Sequence, residues 1–267
     1  RTMVYGAKER RMRRLFQSDG KAFIVAMDHA GSMGVLPGLQ DPGRLIDSIV
    51  AGGADAILTT YGVATRFAEQ IGGLAVVLRA DGACTALAKE RGAMSLSYDA
   101  LDALRIGADA VAVMAMPGSR SEDETLPYLA ALVSQCREWS LPVMAEALPG
   151  GFEDPANMWT PENIGFACRV AVEMGADLVK TQYSGDVESF RKIVDTTYAP
   201  VVVLGGGTIK NEADLLSVIS DAMRAGAKGV AIGRNIYQYT HPEKMVRAIR
   251  AVIHDEATAA QAARALH

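Results

Sequence analysis

The chain has 267 residues, of which 49% are hydrophobic and 22% charged, and its formal net charge is −4. This composition is typical of a soluble globular protein with a large core, and the mild acidity gives no support for nucleic acid or a membrane surface as a partner. No apolar run approaches the length of a membrane span, and three cysteines without CxxC spacing favour a reducing compartment over disulfides or zinc.

The chain begins with a basic segment. Its first residues lack the apolar h-region of a signal peptide, so we expect a cytoplasmic protein. From Lys8 to Phe16, four arginines surround Met12 and Leu15 in a helical pattern. This helix could cover the bottom of a barrel or contact another subunit, and its run of charge is most simply a solvated face.

Eight short apolar runs follow, and seven of them are preceded by a helical segment. The runs are Phe23–Asp28, Asp55–Thr60, Leu74–Arg79, Asp109–Met114, Pro142–Glu146, Asp177–Lys180, Pro200–Leu204 and Lys228–Ile232. Short apolar strands between amphipathic helices are typical of βαβ units with a parallel sheet, and eight such units close as a barrel. The sequence therefore predicts an α/β fold, a single (β/α)8 TIM barrel domain over residues 1–267 with a basic N-terminal helix and an Ala-rich tail helix. A doubly wound open sheet is the alternative.

Local signals between the runs predict where helices begin and end. A Gly-Ala-Asp or Gly-Ala-Lys phrase precedes four of the runs, and its glycine fits a helix C-cap, at Gly53, Gly107, Gly175 and Gly226. Ser121–Glu124 resembles a capping box. Thr160 followed by Pro161 indicates an N-cap with proline at the first helical position.

Lys180 lies near the end of the sixth run, where polar residues follow. Burial in an apolar strand disfavours the charged form of an amine, which makes a lysine a nucleophile toward carbonyls. The alternative is a packed stem with an ammonium group that reaches water. In a barrel this strand end lies at the active face, and alternation puts Leu178 and Lys180 on the same side. We therefore predict that Lys180 forms a Schiff base with a ketone, whose iminium serves as the electron sink for carbon–carbon cleavage.

Charged residues also end three other runs. Asp28 could transfer protons or orient the lysine, or could merely cap the next segment, and His29 beside it could bind a substrate hydroxyl. Glu146, on the strand next to Lys180, is predicted as an acid/base, with a static salt bridge as the alternative. Arg79 could bind an anionic group of the substrate, or could pair with Asp81 or with the aspartate of the first run.

Glycine-rich turns follow the last two runs, and these are the usual phosphate loops of such barrels. They contain Gly205, Gly206 and Gly207 after the seventh run, and Gly233 with Arg234 after the eighth. Glycine lets backbone N–H groups approach phosphate oxygens and arginine adds charge-assisted hydrogen bonds, although a glycine run can also be a mere turn. No GxGxxG pattern or metal-ligand spacing is present, so we expect neither NAD nor a metal as cofactor.

Four phrases at these positions carry a family resemblance. They are Ala26–His29, Asp177–Thr181, the Gly206–Gly207 turn and Gly233–Gln238. They resemble the class I aldolase family that contains the archaeal-type fructose-bisphosphate aldolase, the autoinducer-2 phosphate thiolase and an aldolase-type synthase of aromatic biosynthesis. The resemblance runs from about Arg11 to His254 and implies a (β/α)8 barrel with a Schiff-base lysine at Lys180 and an essential aspartate at Asp28. It also implies phosphate held by Gly206, Gly207, Gly233 and Arg234, and homo-oligomers such as decameric rings.

The chain departs from this family pattern at one place. The fructose-bisphosphate aldolases carry a Tyr-Pro-Arg-Gly phrase after the fifth strand, with the tyrosine as proton donor. The matching stretch here is Leu148–Gly151, which has no tyrosine. The donor role is therefore open to Glu146 or to Tyr183, three residues past the lysine.

The sequence thus predicts a metal-independent class I aldolase that acts on a phosphorylated ketose or related keto compound. Lys180 attacks the ketone, Asp28 and Glu146 move protons, and the two glycine-rich turns hold the phosphate. Two alternatives stay open: thiolase-like acyl transfer to coenzyme A, and a phosphate-binding barrel isomerase that uses carboxylates without a covalent step.

Overall fold

Eight parallel strands close into a barrel. The computed structural model describes residues 5–82, 85–88, 94–205 and 211–266. Its strands are β1 (Ala22–Ala26), β2 (Ala56–Thr59), β3 (Ala75–Arg79), β4 (Asp81–Gly82), β5 (Ser95–Leu96), β6 (Ala110–Ala115), β7 (Val143–Ala147), β8 (Leu178–Thr181), β9 (Val201–Leu204) and β10 (Gly229–Ile232). The order around the barrel is β1-β10-β9-β8-β7-β6-β3-β2, and β4 and β5 form a separate antiparallel pair. The predicted (β/α)8 barrel is confirmed, and the open sheet is excluded because β1 pairs with both β2 and β10.

Helices connect the strands and surround the barrel. They are α1 (Tyr5–Leu15), α2 (Ala30–Met33), α3 (Pro42–Gly52), α4 (Tyr61–Arg66), α5 (Ala68–Ile71), α6 (Ala100–Arg105), α7 (Glu122–Glu138), α8 (Pro155–Met158), α9 (Pro161–Glu173), α10 (Val187–Thr196), α11 (Glu212–Arg224), α12 (Arg234–Tyr237), α13 (Pro242–His254) and α14 (Ala259–Arg264). Within the described part of the chain, no helix combines the length and the apolar character that a membrane span needs.

Side-chain alternation divides the core into two layers. One face of each strand points into the barrel, where small and branched side chains fill its lower half, including Ala22, Ile24, Ala26, Met144 and Leu178. The opposite face packs on the helices, including Phe23, Val25, Ala145 and Val179. Because strand side chains alternate with a period of two, the residue that follows Leu178 by two positions must also point inward.

Helix α1 closes the bottom of the barrel. Leu15 is fully buried in the inner layer, and two of the basic residues reach strand-start aspartates. Lys8 Nζ lies 2.8 Å from Asp177 Oδ1, and Arg14 Nε lies 2.6 Å from Asp109 Oδ1. The interpretation as a lid is confirmed. The charged face of the helix is largely solvated as well, since the Arg14 side chain is 52% exposed while its Nε pairs with Asp109 at the barrel bottom.

The repeated Gly-Ala-Asp phrase has two structural tasks. Its glycines follow helices with φ between +71° and +105°, as a C-cap requires, at Gly53, Gly107, Gly175 and Gly226. Its aspartates each accept the backbone N–H at the start of the preceding strand in the chain: Phe23 N to Asp55, Val76 N to Asp109, and Val143 N to Asp177. All four phrases therefore end a helix, and the three that contain an aspartate also tie two neighbouring barrel strands together at the bottom of the barrel.

The two predicted helix starts have different outcomes. Thr160 caps α9, since its Oγ1 accepts a hydrogen bond of 3.3 Å from Asn163 N, and Pro161 occupies the first turn. The capping box predicted from Ser121 is wrong. Ser121 makes no capping hydrogen bond, because its backbone (φ −100°, ψ 18°) is not in the extended conformation that aims a capping hydroxyl at the helix.

Candidate active site

Four charged side chains from four strands meet inside the barrel near the carboxyl ends of the strands. Asp28 follows β1, Arg79 ends β3, Glu146 lies in β7, and Lys180 lies in β8. Lys180 is only 5% exposed and Glu146 only 7%. The inward direction follows from the alternation of β7 and β8, and it places this polar layer directly above the apolar lower barrel.

Lys180 and Glu146 form a direct pair. They are ladder partners across β7 and β8, and Lys180 Nζ lies 2.9 Å from Glu146 Oε1. Burial would raise the pKa of Glu146, but the charges of Lys180 and Arg79 outweigh it and lower that pKa below its usual value. An ionised carboxylate is thus in contact with the amine, in position to take the proton that a lysine must lose before it attacks a carbonyl.

Arg79 joins three carboxylates. Its Nε lies 2.8 Å from Asp28 Oδ2, its Nη2 contacts Glu146 Oε2, and its Nη1 lies 3.4 Å from Asp81 Oδ1. Burial would lower the pKa of Arg79, but these carboxylates raise it further above its usual value. The salt bridges to Asp28 and Asp81 are those that the sequence analysis gave as the alternative to substrate binding. The contact with Glu146 is an additional one.

Asp81, the third carboxylate, is anchored from the outer side. Its Oδ2 accepts hydrogen bonds of 2.7 Å from both Met114 N and Tyr128 Oη. Burial raises the pKa of Asp81 above its usual value, and Arg79 opposes that rise. Tyr128 has no sequence signal that links it to Asp81, because the two are 47 residues apart.

Asp28 and His29 form the β1 side of the polar layer. Burial would raise the pKa of Asp28, but the charges of Arg79 and Lys180 lower it to about 2. His29 Nδ1 lies 3.7 Å from Asp28 Oδ1, and burial lowers the pKa of the imidazole despite this carboxylate. His29 Nδ1 is buried and makes no hydrogen bond to any described residue, which marks it as a candidate ligand-binding atom.

The predicted phosphate residues are described in part. Gly205 directly follows β9, and its carbonyl oxygen accepts a hydrogen bond of 3.1 Å from Asn235 Nδ2 at the start of α12. This contact joins the ends of β9 and β10. Gly206 and Gly207 lie outside the described residues.

Gly233 and Arg234 follow β10, the strand beside β1. A Cβ on Gly233 would lie 2.1 Å from the carbonyl oxygen of Ala26, so the close approach of these two backbones requires glycine. Arg234 begins α12 and is half-buried. Its charge is among those that lower the pKa of His29.

The structure does not bring Tyr183 to the Lys180 group. Tyr183 belongs to the layer between the barrel and the helices, where its ring centroid lies 5.2 Å from that of Phe190. Burial raises the pKa of its hydroxyl. Its position is three residues past an inward lysine, so alternation already directs it to the other face of the strand.

Two polar side chains near the mouth, one half-buried and one buried, escaped the sequence reasoning. Gln182 follows Lys180 by two positions, on the same face of the chain, and Tyr237 lies on α12 with its ring centroid 5.7 Å from that of His29. Gln182 Oε1 and Tyr237 Oη are buried without a hydrogen-bond partner among the described residues. Alternation could have identified Gln182, whereas Tyr237 is recognisable only once β10 and β1 are known to be neighbours.

Leu148 occupies the position after β7 where the resemblance would place a tyrosine. It is fully buried and packs with Met114 and Met116 of the neighbouring β6 side. Its direction matches that of Glu146, two residues earlier. This wall of the mouth therefore presents carbon and sulfur, with no hydroxyl from that position.

Comparisons with known proteins agree with this geometry. Residues 22–239 match the sequence profile of a family described as DeoC/LacD family aldolase. A 2-amino-3,7-dideoxy-D-threo-hept-6-ulosonate synthase of Halobacterium salinarum is 37% identical over 258 residues, which cover 96% of this chain and 94% of that protein. A 2-amino-4,5-dihydroxy-6-oxo-7-(phosphonooxy)heptanoate synthase of Streptomyces griseus is 33% identical over 255 residues, covering 94% and 92%.

The solved structures with the same barrel include aldolases. An archaeal fructose 1,6-bisphosphate aldolase superposes with a TM-score of 0.84 and 29% identity, and the match covers 93% of this chain and 99% of the other. A Schiff-base-forming fructose-1,6-bisphosphate aldolase, whose reaction intermediates have been analysed structurally, gives the same TM-score and identity over 93% of this chain and all of the other.

Proposed function

This chain belongs to the DeoC/LacD aldolase family, and we propose that Lys180 is the residue through which it forms a Schiff base with a keto substrate phosphorylated at one end. The observation that carries the proposal is the buried pair of Lys180 Nζ and Glu146 Oε1, 2.9 Å apart at the carboxyl end of the barrel. A buried amine beside an ionised carboxylate has both the enclosure and the proton acceptor that carbonyl attack requires.

The reaction begins when Glu146 takes a proton from Lys180 and the neutral amine adds to the ketone carbon. Glu146 returns its proton to the departing hydroxyl, so the carbinolamine loses water and becomes an iminium. Glu146 then takes the proton of the substrate's β-hydroxyl while the electrons of the carbon–carbon bond move to the iminium, so that an aldehyde leaves as the first product and an enamine remains on Lys180. Protonation of the enamine and hydrolysis of the iminium release the second product and restore the amine. In the synthetic direction the same steps run in reverse.

The carboxylates of the polar layer stabilise the cationic intermediate. The iminium has the same charge as the ammonium that it replaces, so the ion contacts of the resting site persist during the reaction. Asp28 remains ionised because its pKa is lowered to about 2. Its fixed negative charge stabilises the iminium without reorganisation of the site, and we assign Arg79 to hold Asp28 and Glu146 in place.

The phosphate of the substrate binds where β9 and β10 end. We assign it to the backbone of Gly205, Gly206, Gly207 and Gly233 and to the guanidinium of Arg234. Support comes from the names of two relatives, since the Streptomyces griseus synthase is named for a compound with a phosphonooxy group and the archaeal aldolase for a bisphosphate. Anchoring the phosphate there holds the ketone in reach of the lysine. We assign His29, whose Nδ1 makes no hydrogen bond to any described residue, to bind a hydroxyl beside the ketone.

Borohydride trapping tests this assignment. Intact-protein mass is measured after treatment with sodium borohydride and a panel of ketones that includes dihydroxyacetone phosphate, dihydroxyacetone and phosphorylated ketoses. We expect a mass gain that peptide mapping places on Lys180 and that Lys180→Met abolishes, whereas Lys21→Met, at the barrel bottom, retains it. A gain that persists in Lys180→Met, or no gain with any ketone, would contradict the proposal.

We further propose a cytoplasmic homo-oligomer that works without a cofactor. The Schiff base is itself the electron sink, so the chemistry above does not call for a metal ion. Light scattering of the purified protein measures its oligomeric state. If the enzyme works without a metal cofactor, its activity should survive dialysis against a chelator.

A further inference from the structure

An apolar wall borders one side of the polar layer. It consists of Met114, Met116 and Leu148, which are 6%, 5% and 0% exposed. The partly buried Met94, Trp159 and Leu204 pack against it. The wall is a separate cluster from the lower barrel core, because the charged layer lies between the two.

The wall stands directly beside the reacting groups. Met114 is the ladder partner of Glu146, and its Sδ accepts a hydrogen bond of 3.5 Å from Arg79 Nη1. Leu148 follows Glu146 by two positions, directly after the end of the same strand, and packs with Met114. Lys180 pairs with Glu146 on this side and with β9 on the other. A substrate joined to Lys180 with its phosphate at β9 and β10 therefore directs its other half at the wall.

The wall cannot recognise a hydroxyl or a phosphate. Leucine has no polar atom, and a thioether sulfur is only a weak acceptor. A hydroxyl buried against these three side chains would lose its water without gaining a partner from them, and a phosphate would lose far more. Arg79 already contacts three carboxylates. Arg120, on the loop after β6, is 91% exposed at its side chain and lies 3.8 Å from Glu153.

We infer that the carbonyl compound that adds to the Schiff-base half, or leaves it, is an apolar and uncharged aldehyde. This inference rests on the proposed function and specifies its second substrate. The enamine carbon held on Lys180 attacks the aldehyde carbon, and a carbon–carbon bond forms as the carbonyl π electrons move to oxygen. That oxygen takes up the proton lost by the donor α-carbon, and water then hydrolyses the iminium to release the product and the amine.

A matched set of three-carbon aldehydes tests the inference. The donor is the ketone that borohydride traps on Lys180, and the acceptors are propanal, glyceraldehyde and glyceraldehyde 3-phosphate. We expect kcat/KM to be at least tenfold higher for propanal than for either of the others. A preference for glyceraldehyde 3-phosphate, above all one that Arg120→Ala removes, would overturn the inference while the trapped lysine would still support the proposed function. Absence of any trapped ketone would overturn both.

Variants of Met116 connect the preference to the wall. Met116→Gln keeps the length of the side chain but adds an amide, so the ratio of kcat/KM for propanal to that for glyceraldehyde should fall by fivefold or more. Met116→Leu keeps the wall apolar and should retain the ranking. The ratio compares two acceptors on the same protein, so a loss of folded enzyme cancels. An unchanged ratio in Met116→Gln would contradict a role for the wall.

Discussion

Removal of the Arg79 guanidinium should destabilise the protein strongly. Arg79→Met keeps an unbranched apolar stem but leaves Asp28, Asp81 and Glu146 without their shared cation. The side chains of these carboxylates are 11%, 1% and 9% exposed, so water cannot replace the lost partner. The variant therefore tests whether Arg79 organises the site or binds substrate.

The expected loss follows from the cost of a buried charge that loses its partner. Breaking such a pair costs about 3–5 kcal/mol of the free energy of unfolding. For a chain of this size that loss lowers the melting temperature by roughly 10 °C. Lys180 remains beside Glu146 and limits the cost there, so most of the loss comes from Asp28 and Asp81.

The pH dependence of this loss has a definite sign. In the wild type the folded-state pKa of Asp28 is lowered to about 2. The ionised carboxylate therefore stabilises the folded protein fully above the unfolded-state pKa of Asp28, and this stabilisation is lost as the pH falls through the folded-state pKa. Without Arg79 that pKa is no longer depressed by its main counter-charge, and the buried acid can take up a proton instead. The difference between wild type and variant should therefore shrink as the pH falls from about 7 toward about 4.

Urea unfolding and thermal melts at both pH values measure the effect. Arg105→Met is a matched control, because Arg105 pairs with Asp102 on the surface of α6 and its side chain is 66% exposed, so its loss should cost less than about 1 kcal/mol. If Arg79→Met costs no more than this control and only raises KM, Arg79 binds substrate and the role assigned to it here is wrong.

Four further outcomes are expected. Glu146→Gln removes the proton acceptor of the lysine and should lower kcat by about 10²–10⁴-fold; a fall of less than tenfold in steady-state assays would exclude that role. Burial would lower the pKa of His254, but hydrogen bonds to Asp55 and a second aspartate raise it. Protonated His254 therefore stabilises the folded protein below its unfolded-state pKa of about 6.5, and this stabilisation is lost as the pH rises through its folded-state pKa. Thermal melts should show that His254→Gln lowers the free energy of unfolding more at about pH 6 than at about pH 8. Gly233→Ala would place a Cβ 2.1 Å from the carbonyl oxygen of Ala26. It should lower the free energy of unfolding in urea by about 1–3 kcal/mol. A variant as stable as the wild type would contradict the close approach of the two backbones. Coenzyme A should leave the rate and products unchanged, whereas formation of an acyl thioester, detected by mass spectrometry, would indicate acyl transfer.

Much of the architecture was already readable from local pattern. The eight apolar runs correspond to the eight barrel strands within one or two residues at each end, because a buried parallel strand must be apolar on both faces. The glycines before four of them ended helices as predicted, since only a left-handed residue completes that turn without strain. The capping box at Ser121 failed because its four-letter pattern does not determine the backbone conformation on which a cap depends.

The local period of two also decided which side chains share the barrel interior. Lys180 and Glu146 follow inward residues by two positions, so their common direction needed no tertiary information. The same rule, applied to Tyr183, would have directed that side chain away from Lys180, although the sequence analysis left it open as a proton donor; the structure places it in the outer layer. Gln182 could have been found by that rule as well.

Contacts between residues far apart in the chain were decided by tertiary structure alone. Arg79 contacts a carboxylate 51 residues before it and another 67 residues after it, and Lys8 pairs with Asp177 across 169 residues. Sequence alone showed that these charges lie at strand ends or on a basic helix. Barrel closure decided which of them meet, because only closure brings β1 beside β10 and places four strand ends around one buried volume, where each charge must find its partner among the others.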